Sequence, residues 1–74
     1  MAREAGTTRE RVTKALLARY AADQDEALVK IDALLTGEVV PGHFDLTGDI
    51  DKLLGKVASA AEKMATLRQH YGTN

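Results

Sequence analysis

From Asp49 to Tyr71, apolar residues recur at Ile50, Leu53, Val57, Ala60, Met64, Leu67 and Tyr71, separated alternately by 3 and 4 positions. This spacing predicts a helix that packs along another helix at a shallow angle, in the manner of a coiled coil. A strand fails on both period and length. Asp49, with Thr47 behind it, reads as the N-cap, and Gly72 lies just past the C-terminus, so the second helix is expected over 49–71.

The first stretch opens on Thr7, with Glu10 three residues later in a capping-box spacing. Its apolar positions are Val12, Leu16, Leu17, Tyr20, Ala21, Ala27, Leu28, Ile31, Leu34 and Leu35, and Gly37 follows as a stop. A continuous helix over 8–35 is expected, because Ala21, Ala22 and Ala27 favour helix and no Gly or Pro interrupts. Asp23 and Glu26 repeat the capping spacing, so the alternative is a break near 22–24 and a three-helix bundle.

Between the stretches, 36–48 holds the only proline and three of the six glycines, and Pro41-Gly42 fits a type II turn. Val39, Val40, Phe44 and Leu46 are apolar, so the connection reads as a structured loop folded over the end of the bundle; a small β-hairpin about Pro41 is the alternative. Residues 1–6 are expected to be flexible. The whole of 1–74 is then one all-α domain, an antiparallel helical hairpin. An isolated hairpin leaves half of each apolar stripe wet, and pairing two hairpins into a dimeric four-helix bundle is the simplest remedy.

Composition sharpens that expectation. A chain of 74 residues with no cysteine cannot be stapled by disulfides, and His43 and His70 alone make no zinc set, so oligomerisation or very regular helix packing is what remains to support a small core. No apolar run reaches the length of a membrane span and no signal-peptide stretch follows Met1, so no membrane contact is expected and the chain reads as soluble and cytoplasmic.

The net charge of -1 conceals a strong sorting. Residues 1–22 carry five basic and two acidic groups, 23–51 one basic and eight acidic, and 52–74 four basic and one acidic, giving +3, -7 and +3. Folding the chain at its middle collects the acid at the loop end and the base at the end holding both termini. Head-to-head pairing of two hairpins would crowd like charges together, whereas antiparallel pairing sets each basic end beside the partner's acidic end. The antiparallel dimer is therefore expected, with Glu38, Asp45, Asp49 and Asp51 at the acidic tip spent on pairing or kept to steer a basic partner.

Among individual residues, Gln24 falls on the first stripe, where it either fixes register by pairing with its symmetry mate or is solvated at a boundary. Leu54, Ala58, Ala61 and Ala65 form a narrow second stripe that could admit another helix closely, either as a dimer seam or as a partner's docking face; plain high-propensity helix surface is the alternative. Val39, Val40 and Phe44 offer a second contact surface. Gly55 and Ser59 lie off the main stripe, and a mid-helix glycine costs about 1 kcal/mol against alanine.

Chemistry is hard to find. His43 lacks identifiable convergent groups, and His70 suits the negative end of its helix dipole. Neither has a Glu three residues before it, as a di-metal bundle requires, and no phosphate-cradling loop or nucleophile elbow is present. No enzyme activity, cofactor or metal is expected. Arg3, Arg9, Arg11, Lys14, Arg19, Lys63 and Arg68 could together neutralise several phosphates, which makes a DNA- or RNA-binding accessory protein the alternative function. Against it stand the acidic balance, the lack of an aromatic platform and a loop too long for a helix-turn-helix. Thr8 to Tyr20 is similar to the opening stretch of helix-turn-helix repressors, and the loop to that of small phage head-joining proteins, without a diagnostic motif in either case. The leading expectation is a non-enzymatic protein-protein interaction module, an adaptor, regulator, inhibitor or assembly subunit, whose partners are itself and another protein.

Overall fold

The computed structural model describes residues 7–37 and 45–72. Two helices, α1 (Thr8–Thr36) and α2 (Leu46–Tyr71), pack against each other as an antiparallel hairpin, and no strand occurs among the described residues. None of these helices is long and apolar enough to cross a membrane. The expected loop contacts Val39, Val40 and Phe44, the Pro41-Gly42 turn, His43, Glu38, and the N-terminal 1–6 with Arg3 lie outside the described residues.

The ends of α1 are where the sequence puts them. The Thr7 hydroxyl accepts the Glu10 N–H at 3.1 Å, and the Glu10 carboxylate accepts the Thr7 N–H at 2.9 Å, so two of the otherwise orphaned first-turn donors are satisfied. At the other end Gly37 takes φ 79°, a left-handed conformation that lets its N–H reach the Leu34 carbonyl at 3.4 Å. Nothing breaks the helix at 22–24; with Ala21, Ala22 and Ala27 around them, Asp23 and Glu26 stay helical and exposed, which excludes the three-helix alternative.

The start of α2 differs from expectation by one turn. The N-cap is Asp45, not Asp49: its carboxylate accepts the Gly48 N–H at 3.0 Å and its carbonyl the Asp49 N–H at 2.9 Å. Gly48 is what permits this, because a Cβ there would collide with the Asp45 carboxyl group. Leu46, Thr47 and Gly48 are therefore helical, and the connection shortens to 37–45. Asp49 moves into the first turn, where its negative charge favours the positive end of the dipole.

The seam between the helices is a run of 3- and 4-residue steps on both sides. On α2 it is the expected stripe, with Ala60 and Met64 buried and Ile50, Leu53, Val57 and Leu67 half-buried. On α1 it runs Thr13, Leu17, Tyr20, Gln24, Ala27, Ile31 and Leu34, narrower than the ten apolar positions suggest. Val12 is exposed and Thr13 buried in its place; the Thr13 hydroxyl donates to the Arg9 carbonyl at 2.8 Å, so no polar group is left wanting. Ala21, Leu28 and Leu35 are also exposed, because a single neighbouring helix covers only one strip of α1.

Candidate functional site

Two aromatic contacts set the register of the hairpin. The Arg9 guanidinium lies 5.3 Å from the centre of the Tyr71 ring, and the Lys63 ammonium 5.2 Å from that of Tyr20, both within cation–π range. Residues of the two helices whose numbers sum to a little over 80 are thus level with each other, and each seam position has a flank on either side.

One flank is rich in lysine. Lys30 of α1 and Lys52 and Lys56 of α2 rim an open groove of about 650 Å³ floored by Ala33, Leu34 and Leu53. It continues past Asp23 and Glu26 into a smaller hollow of about 280 Å³, and further along into one between Tyr20, Ser59 and Lys63. Seven-residue repetition along each helix places Asp23 and Lys30 on this side of α1 and Asp49, Lys56 and Lys63 on this side of α2.

The other flank carries Ala21, Leu28 and Leu35 of α1 and Leu54, Ala61 and Arg68 of α2, bordered on the outside by Ala18, Ala58 and Ala65. Leu28 is 42% exposed, Leu54 50% and Leu35 64%, so large apolar side chains meet solvent on both helices of the same side. Leu54, Ala58, Ala61 and Ala65 are all exposed here, and the structure brings Leu28 and Ala21 to the same face. Sequence reasoning missed those two as surface residues because they share the apolar stripe of α1. The signal that separates them is the strict 3-4 register, which steps back from Ile31 through Ala27, Gln24, Tyr20 and Leu17 to Thr13 and leaves Ala21 and Leu28 to one side. Gln24 is half-buried in the seam, one turn from both Ala21 and Leu28, at the inner edge of this alanine-rich flank.

The basic residues divide between the two flanks. Arg9, Arg19 and Lys63 fall on the lysine side, and Arg9 and Lys63 are stacked on tyrosines. Arg11, Lys14 and Arg68 fall on the alanine side, near the chain termini. His70 is exposed in the last turn of α2, and no group of three or more His, Cys, Asp or Glu suited to a metal ion occurs among the described residues.

No protein family, characterised protein or solved structure matches this chain.

Proposed function

We infer that the chain is a non-enzymatic protein-protein interaction module, a small adaptor, regulator, inhibitor or assembly subunit of the cytoplasm, which acts by packing its helices against another protein surface. The observation that carries this reading is the alanine-rich flank, where Leu28, Leu35 and Leu54 stand open to water on a hairpin that buries only small parts of itself. The buried apolar side chains among the described residues are Ala27, Ile31, Ala60 and Met64, and none is fully sealed. The accessible surface is 5594 Å², against about 4,500 Å² for a compact monomer of this mass. A hairpin that leaves Leu28, Leu35 and Leu54 exposed gains stability from whatever covers them.

A photo-crosslinking residue at position 61 or 59, incorporated in the native host, tests the reading. Protein adducts are expected from position 61, on the alanine-rich flank, and few from position 59, on the other. No protein adduct from either, or adducts to nucleic acid, would contradict it. Binding of the purified chain to a random duplex at low salt provides the complementary check, because a nucleic-acid module shows micromolar binding with a steep salt slope. Arg9, Arg19, Lys30, Lys52, Lys56 and Lys63 share the lysine flank, but Asp23, Glu26 and Asp49 interrupt the row and Arg11, Lys14 and Arg68 lie on the other flank, so no binding is expected.

A further inference from the structure

We propose that the occupant of the alanine-rich flank is a second copy of this chain, related by a two-fold axis across the helices so that each loop end lies against the other copy's termini. This rests on the helix-packing reading above and specifies the partner. Three features of the flank converge on it.

The first is charge. Arg11, Lys14 and Arg68 lie on the termini side of Ala21 and Ala61, and Asp25, Asp32 and Asp51 on the loop side. Three positive and three negative groups leave the flank neutral but polarised, so it complements itself only when turned end for end. In that orientation α1 lies along α1 of the second copy and α2 along its α2. A head-to-head pair would instead set Lys14 level with the other copy's Arg68 and Asp32 level with its Asp51.

The second is register. Lys14 and Leu28 are equally distant from Ala21, and Arg68 and Leu54 equally distant from Ala61. The Tyr20–Lys63 and Arg9–Tyr71 contacts make Ala21 and Ala61 level with each other, so a single axis passes both. Turned about that axis, the Lys14 stem covers Leu28 of the second copy, with its ammonium between Asp25 and Asp32 there. Arg68 likewise covers Leu54 and points its guanidinium toward Asp51.

The third is size and shape. The flank runs from Arg11 to Leu35, about 36 Å along the helix, and the hairpin is 20 Å across. That amounts to roughly 700 Å² on each copy, close to the ~800 Å² per partner of stable interfaces. Alanine at 18, 21, 58, 61 and 65 lets the helices of two copies approach to the ~8 Å spacing of small-residue contacts. The lysine flank mixes Asp23, Glu26 and Asp49 among Lys30, Lys52, Lys56 and Lys63, so its charges alternate along its length instead of dividing between its two ends.

Because the chain has no cysteine, single replacements report the geometry directly. Ala61→Cys, at the axis, should link to itself under mild oxidation on the order of tenfold faster than Leu35→Cys, at the far end, and the unmodified chain should sediment as a dimer at micromolar concentration. A mixture of Ala21→Cys and Ala61→Cys that links only heterologously would mark the head-to-head pair and overturn the proposal. A sedimenting monomer with no disulfide formed would also overturn it. In that case protein adducts from position 61 would leave the helix-packing reading standing with a different partner, and their absence would remove both.

Discussion

The two flanks of this hairpin are built from the same seam, on the same helices, and differ in what they ask of their surroundings. On one, Lys30, Lys52 and Lys56 stand around an open groove lined also by Asp49 and by Val29, itself 66% exposed, and Lys63 lies over the Tyr20 ring. On the other, alanine and leucine reach solvent uncovered. A flank crowded with long charged side chains of both signs keeps another helix at a distance, whereas one lined by alanine admits it closely. A face is available for packing where the chain has placed residues too short to cover their neighbours.

The largest effect is expected where both flanks meet. Ile31, 7% exposed in the seam, supports both, and Ile31→Ala should cost about 2–4 kcal/mol, much of the stability a chain of this size can have. Loss of the cooperative helical melt in circular dichroism would register it. If the variant melted like the parent, the two flanks would not share a core.

Next comes a change that separates the flanks. Leu54→Lys places a charge on the alanine side and should weaken self-association at least about tenfold, or 1.4 kcal/mol, while leaving helix content intact; Lys56→Ala, two residues along and on the other side, should alter association little. Sedimentation of the pair at matched concentrations compares them. Equal effects would erase the distinction between the flanks.

A smaller contrast tests surface that belongs to neither side. A Cβ at Gly55 would meet nothing within 4 Å, so Gly55→Ala should raise stability by about 1 kcal/mol with association unchanged. Gly48→Ala should yield no such gain, because the added methyl displaces the Asp45 cap. Thermal melts of the two variants side by side show whether position 48 is as constrained as its geometry requires.

Much of this fold is legible in the sequence. The stripe from Ile50 to Leu67 survives intact because its 3-4 spacing is unbroken and it carries most of the large apolar residues of α2, and the Thr7/Glu10 box and Gly37 mark α1 with local chemistry that tertiary packing has no reason to override. The remainder was hidden for definite reasons. The stripe of α1 contains two superimposed faces, the seam and the alanine flank, and hydrophobicity alone cannot divide Ile31 from Leu28. Thr13 looked polar, yet it returns its hydroxyl to its own helix and passes as a core residue. Gly48 reads as one of the loop glycines, yet its missing Cβ is the space that the capping aspartate occupies. Of the candidate site, Leu54, Ala58, Ala61 and Ala65 could be read as a stripe on one helix, but their companions Ala21 and Leu28 on the other required the register between the helices.

If one flank carries the association and the other does not, Ala61→Glu and Ser59→Glu must behave differently. Both positions are exposed, both are small, and they lie two residues apart on α2 facing opposite flanks. By sedimentation equilibrium the parent chain and Ser59→Glu should show about twice the chain mass of 8.0 kDa, and Ala61→Glu the single mass. A parent chain of single mass, or two variants that behave alike, would mean that the alanine-rich flank does not carry the association.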